Sequence, residues 1–254
     1  MFKNRSSIIF IMLLAVLVFI GYSKKSGTIK LYVQQKRLVE NNEINVTQPE
    51  EESQQEVEEQ KEDWHNWKPG VSTIQMLLPD VNSEPRVETN THVVIHFASN
   101  AYNKPNDPYN INDTYSIFEQ YEVSSHYVID RKGQIYLFVP ETRVAYHAGK
   151  GKLSDYPEYE NSLNQYSIGI ELLAIGTREE MIPIITAEKF NLIDPSLIGY
   201  TEDQYKALNT LLDDILIRNP TIKRERNHII GHDEYNPVMK TDPGSLFDWT
   251  RIGF

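Results

Sequence analysis

Residues 92–98, with the sequence HVVIHFA, constrain the fold of this chain more than any other segment. They include consecutive β-branched residues and no turn-forming residue, a composition typical of a buried β-strand. Residues 167–173 form a second apolar segment of the same kind. The sequence therefore predicts two buried strands that are far apart in the chain.

Turns and further strand patterns lie between and after these segments. Residues 125–130 and 134–139 are predicted to form a β-hairpin, whose turn contains Gly133, a residue that tolerates positive φ. A short helix is predicted over residues 114–121, and a last short strand over residues 227–231. Strands thus outnumber long helices but alternate with them.

A longer helix is predicted to begin at Thr201. Thr201 and Gln204 have the spacing of a capping box, and the helix is expected to end near Asn219-Pro220. Its apolar residues share one face: Tyr205, Leu208, Leu211, Leu212, Ile215 and Leu216. Together these elements predict one α/β domain over residues 66–254, with a mixed central β-sheet flanked by helices.

The N-terminus has the pattern of a membrane segment. Lys3 and Arg5 precede an uncharged run over residues 6–23, which as a helix would span about 27 Å of a hydrocarbon core about 30 Å thick. The alternative is a cleaved signal peptide, although no small-residue cleavage site follows the apolar run. We therefore expect a single-pass membrane anchor over residues 1–24 with the domain outside the cytoplasm, or a secreted protein if the segment is cleaved.

Residues 25–65 are predicted to be an acidic, disordered stalk. Ten acidic residues against Lys61 between positions 40 and 63 account for most of the formal net charge of −11. The remainder is nearly neutral, which argues against nucleic acid as a partner. The chain has no cysteine, which excludes disulfides and cysteine metal ligands and suits an extracytoplasmic protein.

The segment from Gly231 to Gly244 carries the side chains of a metal-dependent hydrolase. His232, Lys240 and Asp242 lie within eleven residues, and the prolines and glycine around them argue against a regular helix. His96, at the end of a buried strand, could project into the same cleft. Two histidines and one carboxylate are a common catalytic zinc set, which leaves a fourth position for water. A structural role for His96 is the alternative, and His65, His92 and His228 are interpreted as structural.

Glu171 is a carboxylate within an otherwise apolar strand. Burial of a carboxylate is costly unless the group is paired or functional. It could be the general base for a metal-bound water, or it could form an ion pair with an arginine. Lys240 could stabilise the oxyanion that develops on a carbonyl.

Five motifs occur in an order that resembles a known family. They are VVIH (residues 93–96), SSHY (124–127), YHAG (146–149), Asn164 followed by SIGIE (167–171), and GH (231–232) followed by KTDPG (240–244). Taken together, they resemble the zinc-dependent N-acetylmuramoyl-L-alanine amidases of the type 2 family, which share their fold with peptidoglycan recognition proteins. The resemblance covers roughly residues 85–250.

The resemblance implies a role for each matching position. Zinc ligands are implied at His96, His232 and Asp242, the catalytic acid/base at Glu171 and the partner of the scissile carbonyl at Lys240. His147, Asn164 and His126 are implied in substrate binding, with His147 lining the groove and Asn164 supporting the Glu171 strand. Some relatives use Cys and Tyr where this chain has Asp242 and Ser125, so it resembles the branch with Glu and Lys.

The implied function is cleavage of the amide between N-acetylmuramic acid and L-alanine in peptidoglycan or muropeptides, by a zinc-activated water in a monomeric enzyme. The alternative is a binding module of the same fold that recognises cell-wall fragments without cleaving them. A purely structural anchor would leave the five motifs unexplained. Residues 176–198 carry no motif and are expected to be an insertion that lines the substrate groove.

Overall fold

The computed structural model describes residues 64–254. The predicted membrane anchor and nearly all of the predicted stalk lie outside the described residues. Within residues 64–254, no helix combines the length and the apolar character needed to cross a membrane.

A six-stranded mixed sheet forms the centre of the domain. Its strands, together with two that form a separate small sheet, are β1 (Ile74–Gln75), β2 (Ser83–Pro85), β3 (His92–Ala98), β4 (Tyr127–Ile129), β5 (Ile135–Leu137), β6 (Arg143–Ala145), β7 (Ser167–Leu173) and β8 (Ile229–Gly231). The order in the main sheet is β1-β5-β4-β7-β3-β8, while β2 and β6 pair separately. Parallel pairing joins β3 to β7 and β8, and antiparallel pairing joins β4 to β5. The predicted mixed sheet is confirmed.

The α-helices that lie wholly within the described residues include α1 (Ile111–Tyr121), α2 (Arg178–Ile185), α3 (Ala187–Phe190), α4 (Glu202–Arg218) and α5 (His232–Tyr235). The helix α4 begins at the predicted capping box, where the Thr201 hydroxyl accepts a hydrogen bond from the backbone N–H of Gln204. Its buried residues, including Leu208 and Ile215, belong to the same apolar cluster as Val93 and Ile95 of β3. The predicted amphipathic helix thus covers one face of the sheet.

The alternation of side chains along β3 and β7 separates the core from the functional face. Ile168, Ile170 and Leu172 belong to the apolar cluster under α4. Because successive strand residues point to opposite faces, Glu171 and its register partner His96 lie on the other face. The helix α1 covers another part of that second face, where Phe118 packs in a cluster with Leu173.

Three local predictions need correction. The segment after Gly231 was expected to lack a regular helix, yet residues His232–Tyr235 form one helical turn. This turn is possible because Pro237 lies beyond its end and the Glu234 carboxylate accepts the backbone N–H of Gly231. The last strand begins at Ile229, two residues later than predicted. The helix α1 begins at Ile111, three residues earlier than predicted. Residues 176–198, expected to be an insertion that lines the substrate groove, contain α2 and α3, which bury Met181 and Phe190 in an apolar cluster; their groove-lining role stays a prediction.

Candidate metal centre and active site

The parallel strands bring distant parts of the chain to one edge of the sheet. Ile95 of β3 is paired with Gly231 of β8, so His96 and His232 each follow a residue of the same register pair. On the other side of β3, His96 is paired with Glu171 of β7. The carboxyl ends of β3, β7 and β8 therefore lie at one edge of the sheet. There the imidazoles of His96 and His232 and the carboxylate of Glu171 can approach one another.

Three of the predicted site residues form a compact cluster. Nδ1 of His96 lies 3.0 Å from Nδ1 of His232, and Oδ2 of Asp242 lies 2.8 Å from the first and 3.0 Å from the second. His96 and His232 are buried. Among the described residues, this is a group of histidine and carboxylate side chains that could hold a metal ion. A purely structural role for His96, the alternative left open by the sequence, does not explain two imidazole nitrogens that face each other.

The electrostatics of this cluster are those of a site that attracts a cation. Burial, and next the proximity of His232, lowers the pKa of His96 to about 4. Burial alone would raise the pKa of Asp242, but His232 and His96 bring it well below its ordinary value. A neutral His96 imidazole and an ionised Asp242 carboxylate are the protonation states that metal ligation requires.

Glu171 lies on the same face of the sheet as the cluster and is buried. Its Oε2 atom has no hydrogen-bond partner among residues 64–254. The alternative prediction, an ion pair with an arginine, is wrong for the described residues, because none of their ion pairs includes Glu171. Burial, and next the charge of Asp242, raises the pKa of Glu171 well above its ordinary value, whereas Lys240 opposes this shift. A buried carboxyl group with a raised pKa is the usual form of a general acid/base.

Lys240 and Asp242 lie on a loop that several contacts hold in place. The backbone N–H of Asp233 donates to the carbonyl of Asp242 at 2.8 Å, which ties the loop to the first turn of α5. The hydroxyl of Tyr200 donates to the carbonyl of Pro243 at 2.6 Å. Lys240 is partly buried and close enough to lower the pKa values of both Glu171 and His96.

The acidic residue Glu180 of α2 joins the same loop to the 176–198 segment. Its Oε1 accepts the backbone N–H of Ser245 and its Oε2 that of Thr177, each at 2.7 Å. Gly244 has a φ of +73°, and a Cβ at that position would lie 2.7 Å from the Glu180 carboxylate. Glycine is therefore required where the loop passes α2.

The three predicted substrate-binding residues lie near or behind the cluster. His147 is partly buried, with Nδ1 3.1 Å from Nε2 of His96 and Nε2 3.2 Å from the hydroxyl of Ser167. Burial, and next the proximity of His96, lowers the pKa of His147 well below its ordinary value. The Asn164 side chain accepts the backbone N–H groups of His147 and Ala148, at 3.1 and 2.7 Å.

His126 lies behind this segment and is fully buried. Its Nδ1 accepts the backbone N–H of Gly169, and its Nε2 contacts Arg86 and the carbonyl of Arg143. The roles of His126, His147 and Asn164 in substrate binding stay predictions.

Sequence reasoning missed three residues that shape the site: Ser167, Gly169 and Glu180. Ser167 and Gly169 share a face with Glu171, and the period-two pattern of the SIGIE motif contained that information. A Cβ on Gly169 would lie 2.5 Å from the ring of His147, so this glycine makes room for the imidazole. The spacing of Thr177 and Glu180 is that of a capping box, which is a local pattern. No local pattern indicates the contact of Glu180 with Ser245, because these residues lie 65 positions apart in the chain.

Comparison with known proteins identifies the family. The family model described as N-acetylmuramoyl-L-alanine amidase, Amidase_2, matches residues 86–245, which include all the residues of the cluster. The chain belongs to this type 2 amidase family. The resemblance inferred from the five motifs is thereby confirmed.

Individual relatives are similar over the same region. The chain is 34% identical over 129 residues to the 1,6-anhydro-N-acetylmuramyl-L-alanine amidase AmpD of Citrobacter freundii, a match that covers 51% of this chain and 54% of the relative. AmpD of Escherichia coli K12 is 33% identical over 129 residues, with 51% and 56% covered. The chain thus spans about half the length of the curated relatives it matches. The crystal structure of a selenomethionine derivative of AmpD matches with a TM-score of 0.51 and 25% sequence identity. The match covers 73% of the present chain and 94% of the AmpD chain.

Proposed function

We propose that this chain is a peptidoglycan hydrolase that cleaves the amide bond between N-acetylmuramic acid and L-alanine, with zinc held by His96, His232 and Asp242. The observation that carries the proposal is the convergence of these three side chains on the sheet face of Glu171, whose buried Oε2 has no hydrogen-bond partner within residues 64–254. Membership of the amidase family supports the reaction, and relatives named for a 1,6-anhydro-N-acetylmuramyl-L-alanine amidase support the class of substrate.

The donor set suits zinc. Tetrahedral zinc with two nitrogen ligands and one oxygen ligand holds the ligand atoms about 3.3 Å apart, whereas here they lie 2.8–3.0 Å apart. Outward shifts of a few tenths of an ångström would therefore admit the ion. When bound, zinc supplies a water of lowered pKa and a Lewis acid for the scissile carbonyl.

Glu171 is proposed to move the proton of the reaction. Its carboxylate takes a proton from the attacking water as the carbon–oxygen bond forms. It then delivers that proton to the L-alanine nitrogen as the carbon–nitrogen bond breaks, so that the amine leaves neutral. The raised pKa of Glu171 suits the second half of this transfer, because a more acidic group would hold its proton less readily until the amine leaves.

Lys240 is proposed to stabilise the negative charge that develops on the carbonyl oxygen of the substrate. Its ammonium lies on the loop that also carries Asp242, and it acts electrostatically on both Glu171 and His96. Loss of one such stabilising group typically costs on the order of 100- to 1000-fold in rate. Lys240→Ala is therefore expected to bind zinc normally and to turn over far more slowly.

The remaining parts of the proposal concern the surroundings of the site. His147, Asn164 and His126 are proposed to form and support the substrate groove of a monomeric enzyme. Residues 1–24 are proposed to anchor the protein in the cell membrane with the amidase domain outside the cytoplasm, and residues 25–65 to be the stalk. The absence of cysteine and the acidic composition of the stalk support this arrangement.

The proposal is tested by zinc content and by product analysis on the full chain. One zinc per chain and release of stem peptides that begin with L-alanine are expected, with products identified by mass spectrometry. Glu171→Gln is expected to retain zinc and lose turnover, whereas His232→Ala is expected to lose zinc. Parallel assays on intact peptidoglycan, on a muropeptide and on its 1,6-anhydro form separate the possible substrates.

The result that would contradict the proposal is a folded, zinc-loaded chain that binds muropeptides and cleaves none of the three substrates. That outcome would favour the binding module. Full activity of Glu171→Gln would remove this residue from the mechanism, and unchanged zinc content in His232→Ala would remove it from the ligand set.

A further inference from the structure

A series of hydrogen bonds connects the backbone carbonyl of Leu163 to the cluster of His96, His232 and Asp242. It begins at Ser167, a fully buried residue whose hydroxyl lies 2.6 Å from the carbonyl oxygen of Leu163. A carbonyl can only accept, so the single hydroxyl proton of Ser167 is committed to Leu163. The Ser167 oxygen is therefore available only as an acceptor for its second neighbour, Nε2 of His147, at 3.2 Å.

This constraint determines which nitrogen of His147 carries its proton. Nε2 must donate to Ser167, and a neutral imidazole has only one N–H, so Nδ1 of His147 is an acceptor. That atom lies 3.1 Å from Nε2 of His96. Nε2 of His96 must then carry the proton, and Nδ1 of His96 is left with a free lone pair.

The free lone pair points to the proposed zinc position. Nδ1 of His96 is the atom that faces Asp242 and His232 at 2.8 and 3.0 Å. For His232 the same result is reached in one step, because its Nε2 lies 2.9 Å from the carbonyl oxygen of Ala148 and must donate to it. Both imidazoles thus present their Nδ1 lone pairs to one point, as metal ligation requires.

The two ligands differ for a structural reason. His232 lies in the short helix α5, beside the Ala148 carbonyl, which is free to accept a side-chain hydrogen bond. His96 lies in β3 and is itself paired with Glu171 of β7, and among the described residues its ring nitrogens contact only side chains. Its ring proton needs a side-chain acceptor, and His147 with Ser167 supplies one.

We propose that Ser167 and His147 are positioning residues that hold His96 in the tautomer that binds zinc. If these hydrogen bonds ran in the opposite direction, the Ser167 hydroxyl would donate to His147 instead of to Leu163. Nδ1 of His96 would then carry the ring proton, which would block ligation. Gly169 permits the arrangement, since a Cβ there would occupy the space of the His147 ring. This inference rests on the proposed zinc site and gives a role to Ser167, a residue not assigned to the chemistry.

The test is a zinc dissociation constant for the full chain and its variants, measured by competition with a chromophoric chelator. Ser167→Ala removes the acceptor for His147 and is expected to weaken zinc binding roughly tenfold, the lower end of the range for residues that support a metal ligand. Ser167→Thr retains a hydroxyl and is the matched control, expected to bind zinc within about twofold of the unaltered protein.

A second pair of variants guards against loss of folding at position 167. In His147→Asn, the amide oxygen takes the place of Nδ1 and can still accept the proton of His96, whereas His147→Leu cannot. Zinc affinity is expected to fall more in His147→Leu than in His147→Asn. Circular dichroism of each variant without metal separates loss of affinity from loss of fold.

A spectroscopic readout addresses the tautomers directly. In the zinc-loaded protein with ¹⁵N-labelled histidine, long-range nitrogen–proton correlation spectra are expected to show the proton of His147 on Nε2. A proton on Nδ1 of His147, or equal zinc affinity of Ser167→Ala and the unaltered protein, would overturn the inference while leaving the zinc site intact. Absence of zinc binding by the unaltered protein would instead overturn the proposed function.

Discussion

Substitution of Gly169 by alanine tests whether the packing behind His96, His232 and Asp242 controls the affinity of the proposed zinc site. The added Cβ would lie 2.5, 2.7 and 2.8 Å from Cγ, Cδ2 and Nδ1 of His147. Non-bonded carbon atoms normally lie about 3.5 Å apart, so the ring would have to withdraw by about 1 Å. The 3.1 Å contact between His147 and His96 would then exceed the limit of a hydrogen bond, which is about 3.5 Å.

Two consequences are expected for Gly169→Ala. Overpacking of a filled core costs about 1–3 kcal/mol in the free energy of unfolding. Loss of the partner of His96 is expected to weaken zinc binding by about 10- to 100-fold, which corresponds to about 1.4–2.8 kcal/mol. The measurements are chelator competition for zinc and thermal unfolding of the metal-free protein.

A matched control distinguishes these two effects. Gly133 lies in the hairpin turn with a φ of +77°, and a Cβ there would lie 2.5 Å from the backbone oxygen of Asp203, on the α4 side of the sheet. Gly133→Ala is therefore expected to lose stability without a change in the zinc affinity of the folded protein. The reasoning is refuted if Gly169→Ala binds zinc as tightly as the unaltered protein, or if Gly133→Ala loses zinc affinity to the same extent.

Two further predictions concern acid stability and the metal-ligand loop. Burial, and next the proximity of His228, lowers the pKa of His92 from 6.5 to about 4, so the unfolded chain binds the additional proton in this range. The stability that neutral His92 contributes, at most about 3 kcal/mol, is present above pH 6.5 and is lost as the pH falls to about 4. Urea unfolding of His92→Gln at several pH values should therefore show a smaller loss than the unaltered protein, and equal losses would contradict the assignment. Glu180→Gln retains only one acceptor oxygen, so it is expected to release the Ser245 amide. The free energy of unfolding is expected to fall by about 1 kcal/mol. Zinc binding is expected to weaken a few-fold, because the loop that carries Asp242 becomes less firmly held. Hydrogen exchange at Ser245 measures the release of its amide directly, and unchanged protection there would count against this prediction.

The elements that were predicted well are those determined by local patterns. The strands β3 and β7 have the bounds that their apolar runs indicated, and α4 begins at the capping box of Thr201. Periodicity and capping depend on neighbours within a few residues, which a sequence displays directly. By contrast, the two-residue strand β1 and the small β2–β6 sheet have no such pattern. Their existence depends on partners that are distant in the chain.

The site divides in the same way. The residue types of the cluster were recognisable because His96, Glu171, His232 and Asp242 lie in motifs that occur in order. Sequence reasoning left open whether Glu171 pairs with an arginine, and the fold answered this by placing it beside His96, with its Oε2 unpartnered within the described residues. A sequence shows that a carboxylate lies within an apolar strand, but it does not show which side chains surround that carboxylate in the fold.

By itself, the sequence determined the strands and helices with strong periodicity, the α/β class and the candidate ligands, because these depend on residue type and on near neighbours. Only the tertiary structure decided that His147 contacts His96, one of the two histidines that the motifs had indicated as ligands. The register of β3 with β7 and β8 places His96 beside Glu171 and near His232, and the packing of His147 on Gly169 connects His96 to Ser167. Such contacts arise from strand order and side-chain packing between distant segments, and the periodicity of a single segment contains no information about either.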